Sequence, residues 1–137
     1  FNVSVNIREV SPHLARILKE SARPGDVIYH TSPMSYLPMK IYLPDAAQRI
    51  AGTGGLPILE RTLAGGDVIE DLRDCPDAER IWLVVAYWGP GSRWDRDKTW
   101  PRLLGESGRR VVLIGRLSIG VVKTAAIYRC DRIRPSR

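Results

Sequence analysis

The sequence has few of the residues that most often build reactive or metal-binding sites. Its 137 residues include only two cysteines, Cys75 and Cys130, and two histidines, His13 and His30. A zinc site needs three or four converging ligands, and no spacing of these four side chains supplies them. A chain of this length can also bury a core without help from a metal. The composition therefore predicts no metal and no cofactor in this chain.

The familiar signatures of a membrane span and of a catalytic or nucleotide site are also missing. No apolar run approaches the roughly 18 residues that a bilayer-spanning helix needs. The sequence contains no GxGxxG, GxxxxGK[ST], HExxH or GxSxG motif. These absences argue against a dinucleotide site and against the common hydrolase sites. The chain opens at Phe1 and not at methionine, so we expect it to be a segment of a longer protein.

Arginine dominates the charge that is present. The net charge is +6 with 21 basic residues, and lysine occurs only at positions 19, 40, 98 and 123. Arginine suits bidentate contact with carboxylate or phosphate, which indicates an acidic partner such as nucleic acid, a lipid headgroup or a sugar phosphate. Scattered arginines are also typical of a solvated surface, so both interpretations stay open. No helix with clustered basic residues and no aromatic RNA-binding platform is evident, which makes nucleic acid the less favoured partner.

The hydrophobic pattern predicts one α/β domain over residues 1–137. Ser11-Pro12 starts a helix, because serine is a favoured N-cap and proline suits the first helical position. The run Arg80–Trp88 is apolar on both faces, as expected of an interior strand. The other predicted elements are strands at about 26–31, 47–51, 68–69, 111–114 and 121–128, and helices at about 34–43 and 99–104.

The order of these elements predicts a Rossmann-like layered sandwich. We expect a mixed sheet of about 4–6 strands with helices on both faces. Its parallel centre should lie at residues 26–31 and 80–87. The last two strands should form a C-terminal antiparallel hairpin towards one edge, with a turn or bulge between Gly115 and Gly120.

Two places in this fold are candidates for ligand contact. His30, Thr31 and Ser32 end the first strand of the parallel centre, and open α/β sheets bind ligands beyond the carboxyl ends of their strands. His30 could act there as a general base, although a hydrogen-bonded structural histidine is the commoner arrangement.

The second candidate is the end of the core strand and the loop that follows it, with Trp88, Arg93, Trp94 and Arg96. Tryptophan and arginine together could stack a sugar or lie at a membrane interface. An ordinary surface loop is the alternative interpretation of the same residues.

The two cysteines lie near strand ends. Cys75 precedes the core strand and Cys130 ends the last strand. If those strands are antiparallel neighbours, the two thiols could form a disulfide, which an extracytoplasmic location would favour. Two separate buried thiols are the alternative.

Several segments together resemble one family of membrane enzymes. They are RPGDVIYHTSP at 23–33, KIYLPD at 40–45, ERIWLVVAYW at 79–88 and IYRCDR at 127–132. Their order is similar to that in the C-terminal soluble domain of polytopic glycosyltransferases that use polyprenyl-phosphate sugars, the protein-mannosyltransferase-like and aminoarabinose-transferase-like enzymes. The resemblance covers about residues 8–131 and rests on order and spacing, because a PGD turn before a strand is common by itself.

The resemblance implies that catalysis belongs to a membrane part outside this chain, so no catalytic residue carries over. The chain would be a non-catalytic accessory or substrate-contacting domain on the extracytoplasmic face, as part of an integral membrane protein. Its partners would be the transmembrane portion of the parent chain, and a lipid-phosphate headgroup or a glycan acceptor. Two alternatives remain, a basic nucleic-acid-binding module and a small enzyme that uses His30, Thr31 and Ser32.

Overall fold

Two α-helices, one short 3₁₀ helix, seven β-strands and further helical residues at 101–102 and 104–106 make up the regular structure within the residues that this computed structural model describes. The described residues are 2–4, 10–31, 33–51, 64–69, 78–88, 101–102, 104–119 and 123–133. The helices are α1 (Val10–Ser21), α2 (Pro33–Tyr42) and the 3₁₀ helix η1 (Gly65–Asp67). The strands are β1 (Asn2–Ser4), β2 (Val27–His30), β3 (Ala47–Ala51), β4 (Val68–Ile69), β5 (Arg80–Trp88), β6 (Arg109–Ile119) and β7 (Lys123–Arg132).

All seven strands belong to one mixed sheet in the order β1-β6-β7-β5-β2-β3-β4. Pairing is parallel between β2 and β3, β2 and β5, β3 and β4, and β1 and β6. Strand β7 is antiparallel to both β5 and β6. The predicted mixed α/β sheet, its parallel centre and its C-terminal hairpin are confirmed. The strand number reaches seven because the three-residue edge strand β1 was not predicted, whereas the two-residue strand β4 at the other edge was.

The core strand β5 is buried on both faces, which explains its unbroken apolar run. Every residue from Ile81 to Val85 is exposed by 3% or less. A strand at the parallel centre of a sheet has no solvent face, so alternation of polar and apolar residues is lost. The apolar run was therefore sufficient to identify β5 as an interior strand before its neighbouring strands were known.

Helical residues cover the sheet on both sides, as predicted. One face packs on α1 and α2 through the buried residues Leu14, Leu18, Ile28, Met39, Trp82, Val84 and Ile127. The other face packs on Leu104, within helical residues 101–102 and 104–106, through Tyr29, Ile81, Leu83, Val85, Ala126 and Cys130. Burial of these two apolar layers supplies the main stabilisation of the fold.

Element boundaries differ most from the prediction in the hairpin. Strand β6 runs on through Gly115 to Ile119, where a turn or bulge was expected, and its register shifts between Leu113 and Gly115. A bulge of this kind bends the strand without ending it, so the glycine marks an irregularity inside β6. In the described part of the chain, no helix has both the length and the apolar character needed to cross a membrane.

Candidate functional site

The carboxyl ends of β2 and β5 form the place where this topology would admit a ligand. Strand β2 leads into α2 on one face of the sheet, whereas the chain after β5 reaches Leu104 on the opposite face. Neighbouring parallel strands whose connections diverge in this way mark the switch point at which open α/β sheets bind ligands. Pairing of the two strands ends at His30 and Val84, and β5 continues beyond that point to Trp88.

His30 lies at this point and is fully buried. Its Nδ1 atom is 2.7 Å from Ser35 Oγ, and its Nε2 atom is 2.8 Å from Gln48 Oε1. Ser35 belongs to the first turn of α2 and Gln48 to β3, so the imidazole joins three elements. The ring of Tyr36 packs against it edge to face, with 5.5 Å between the centroids.

The direction of these hydrogen bonds follows from the Gln48 amide. Its nitrogen donates to the carbonyl oxygens of Met39 at 3.1 Å and Leu43 at 3.0 Å. Carbonyls only accept, so the amide oxygen faces His30 and receives the Nε2 proton. Nδ1 is then the acceptor for the Ser35 hydroxyl. Burial lowers the pKa of His30 to about 4, although the Gln48 hydrogen bond acts in the opposite sense, so the ring is neutral at neutral pH.

This network has the chemical form of a serine activated by a base. A hydroxyl donates to a neutral imidazole whose other nitrogen is held by a third group, as in nucleophilic catalysis. Ser35, however, is only 4% exposed and His30 is not exposed at all, so neither group reaches solvent in this conformation. The burial favours the structural histidine over the general base.

Of the other residues predicted to contact a ligand, the structure describes Thr31 and the backbone of Trp88. The Thr31 amide donates to the Val84 carbonyl at 3.1 Å, and the half-buried Thr31 hydroxyl lies 3.5 Å from the same oxygen. The backbone of Trp88 ends β5 on the same edge of the sheet, because β2 and β5 are parallel. The described parts of the two candidate places, Thr31 and the backbone of Trp88, therefore lie at one edge of the sheet. The described residues do not include Ser32, Arg93, Trp94 and Arg96, nor the side chain of Trp88.

A second polar cluster lies at the opposite edge of the same strands. Asp26 Oδ2 accepts hydrogen bonds from Arg80 Nε at 3.0 Å, Trp82 Nε1 at 2.9 Å and the Arg23 amide at 2.8 Å. Arg80 also donates to the Ser21 carbonyl at 3.1 Å and lies 5.3 Å from the Trp82 ring centroid. The RPGD and ERIW segments meet in this cluster, which we call the Asp26 junction.

The Asp26 junction holds a charged pair with little access to water. The side chains of Asp26 and Arg80 are 8% and 16% exposed. Burial alone would raise the pKa of the Asp26 carboxyl, but hydrogen bonds from the Arg23 amide, Trp82 and Arg80, with the Arg80 charge, lower it below its ordinary 3.8. The carboxylate is therefore ionised at neutral pH and ties the start of β2 to the start of β5.

Sequence reasoning missed Asp26, Ser35 and Gln48. Asp26 was interpreted only as part of a turn, because its partners Arg80 and Trp82 follow more than fifty positions later. Gln48 did leave a signal. It stands two residues before Ile50 on the apolar side of a strand, and a buried amide must find hydrogen-bonding partners.

Cys130 is a buried thiol on β7, and burial raises its pKa to about 12, so it stays protonated. Cys75 lies outside the described residues, and the disulfide therefore stays a prediction. Among the residues that the structure describes, no three histidine, cysteine or acidic side chains converge as a metal site would require.

In comparisons with known proteins, this chain matches no family model, no curated protein and no solved structure. The fold and site define a mixed α/β domain with two polar clusters at opposite edges of its sheet. The family resemblance rests on the sequence motifs alone.

Proposed function

We propose that this chain is a non-catalytic accessory domain of a membrane glycosyltransferase that moves a sugar from a polyprenyl-phosphate carrier. The Asp26 junction carries the proposal. Two motifs of the resemblance, RPGD and ERIW, contact each other there through Asp26, Arg80 and Trp82. A buried ion pair between distant segments gives a physical reason for both motifs to occur together in one sequence.

The carboxyl edge of the sheet is the edge at which β2 and β5 end. The contacts of the buried residues there support the absence of catalysis in this part of the protein. The hydrogen-bonding groups of His30 and Gln48 are occupied within the network, and the Ser35 hydroxyl is bound to His30. A buried, satisfied polar network stabilises one packing arrangement and does not need a substrate. Thr31 and the end of β5 lie at the same edge, so a glycan or acceptor contact belongs there.

The first test concerns the parent gene. The proposal requires that the coding region upstream of Phe1 encode several apolar spans of about 18 residues or more. It also requires that the isolated chain transfer no sugar from a polyprenyl-phosphate donor. A parent without such spans, or transfer by this chain alone, would overturn it.

The second test separates an accessory domain from an enzyme at the end of β2. Ser35→Ala in the full-length protein removes the hydroxyl that a nucleophile would need and leaves His30 in place. We expect sugar transfer in membranes to stay within a few-fold of wild type when corrected for protein level. A loss of 100-fold or more with normal protein level would instead assign catalysis to Ser35.

A further inference from the structure

We propose that the amino edge of the sheet docks on the anionic headgroups of a lipid bilayer. This edge comprises the starts of β2, β5 and β6 and the end of β7, which are neighbours in the sheet. Its arginines are Arg23, Arg80, Arg109, Arg110, Arg129 and Arg132. Its carboxylates in the described residues are Asp26, Glu79 and Asp131.

Among the residues of the amino edge that the structure describes, positive charge is in excess. Two of the three carboxylates are engaged in ion pairs, Asp26 with Arg80 at 2.9 Å and Asp131 with Arg129 at 3.1 Å. In the described residues of this edge, six arginines therefore stand against three carboxylates. A concentration of one sign of charge attracts a partner of the opposite sign and steers its approach.

One pair of arginines at this edge is closer together than folding alone would favour, although the next pair across the same strands, Arg110 and Asp131, is of opposite charge. Arg109 and Arg132 are direct partners across β6 and β7. Like charges directly opposite each other destabilise a sheet. Arg109 relieves part of this repulsion by turning inward, where its Nη2 atom donates to the Ala78 carbonyl at 2.7 Å. Neutralisation by an external anion would relieve the remainder.

The solvent side of the amino edge combines charge with an exposed apolar residue. Arg23, Arg110 and Arg132 are exposed, and Ile133, which follows Arg132, is 59% exposed. Arginine guanidinium groups bind phosphate, and an adjacent isoleucine can enter the interface below the headgroups. An isoleucine at this place has no evident partner on a nucleic-acid backbone, so the observations favour a bilayer.

Docking of the amino edge on a bilayer gives the amino and carboxyl edges of the sheet different partners. It rests on the proposed function, because a membrane-bound parent would hold the domain beside a bilayer. With the amino edge on the lipid phosphates, the carboxyl edge, with Thr31 and the end of β5, faces away from the membrane. An acceptor would then approach the carboxyl edge from the aqueous side.

The test measures binding of the complete chain to phosphatidylcholine vesicles with and without phosphatidylglycerol, at low and raised salt. We expect binding only to the anionic vesicles, and loss of it at raised salt. One positive charge near such a surface contributes about fivefold to binding. Arg132→Gln should therefore weaken binding about fivefold and R110Q/R132Q more than tenfold. Arg16→Gln, at an exposed position on α1, is the matched control and should change binding less than twofold.

Circular dichroism of each variant checks that the fold is kept. Absence of wild-type binding at low salt, or an equal loss in Arg16→Gln, would overturn the proposal. So would unchanged binding in R110Q/R132Q, since the surface that binds the vesicles would then lie elsewhere on the chain. Binding to duplex DNA in place of vesicles would assign the edge to nucleic acid. The vesicle assay contains no sugar donor, so its failure is distinguishable from failure of the glycosyltransferase proposal.

Discussion

The two edges of the sheet bury polar groups by opposite chemistry. At the carboxyl edge, His30, Ser35 and Gln48 are uncharged and satisfy one another and nearby carbonyls. At the amino edge, Asp26 and Arg80 are ionised and form a pair with little exposure. Strands β2 and β5 thus both begin at the charged Asp26 junction, and β2 ends at the neutral network around His30.

The difference shows how each edge depends on its surroundings. A neutral network keeps its strength in salt but cannot accept a proton without losing a hydrogen bond. A buried ion pair is stable only while both partners are present, because a lone buried charge is strongly unfavourable. The amino edge is also the edge with excess positive charge, so its surface can respond to an anionic partner.

The largest expected effect comes from breaking the Asp26 junction. Asp26→Ala leaves the Arg80 guanidinium without its carboxylate and the Trp82 indole N–H without its acceptor. Removal of one partner from a buried pair costs about 3–5 kcal/mol, which urea denaturation would measure. Asp26→Asn keeps one acceptor oxygen and should retain part of this stability. A loss below about 1 kcal/mol would mean that the junction does not hold the two strands together.

Acid should act first on the carboxyl edge. The pKa of His30 is about 4 in the folded state and 6.5 unfolded, so between these values the unfolded chain binds the extra proton. Stability is therefore complete above pH 6.5 and decreases as the pH falls towards 4, by about 3 kcal/mol in total. Thermal or urea unfolding across this range would show the slope.

Substitution of each histidine in turn identifies the group that causes the change of stability with pH. His30→Gln should remove the dependence between pH 6.5 and 4, whereas His13→Gln on α1 should keep it. If both variants keep the slope, another group is responsible. Below that range, protonation of Asp26, whose pKa is lowered, removes further stability.

Loss of the Gln48 amide should have a smaller effect. Gln48→Leu leaves the His30 Nε2 proton without an acceptor. The carbonyls of Met39 and Leu43 lose the side-chain amide but keep hydrogen bonds from the backbone amides of Leu43 and Ala46. We expect a loss of about 1–3 kcal/mol in urea denaturation, because one buried donor is left unsatisfied. Arg49→Gln, at the next position on β3, is the control. Its ion pair with Asp67 at 3.4 Å is partly exposed, so its loss should cost less than about 1 kcal/mol. Equal losses in the two variants would contradict a special role for the network.

The smallest expected effect separates backbone strain from side-chain contact. Gly25, in the turn before Asp26, has φ +91, and an added Cβ would meet nothing within 4 Å. Gly25→Ala should therefore cost about 1 kcal/mol through conformation alone. Gly66 is equally uncrowded and has no positive φ, so Gly66→Ala should change stability by less than about 0.5 kcal/mol. Thermal unfolding of the two variants side by side decides whether the turn needs glycine.

Local pattern accounts for the parts of the fold that were predicted well. The bounds of β3 and β5 agree with the prediction, because β5 is an apolar run that ends before Gly89-Pro90 and β3 ends before the glycine-rich segment 52–55. The presence of α1 was predicted, but it begins at Val10, so Ser11, which was predicted to be its N-cap, lies within its first turn. The candidate site could be located at the end of β2 from local pattern as well.

The amino-acid sequence by itself determined where most of the strands and helices lie, which strand is buried on both faces, and the excess of arginine. Only the tertiary structure decided that β7 lies between β5 and β6, that Asp26 meets Arg80 and Trp82, and that His30 is enclosed by Ser35 and Gln48. The physical reason is the distance along the chain over which each effect acts. Propensity and periodicity act over a few residues, whereas pairing, burial and the pKa of a buried group depend on partners that folding brings from distant positions.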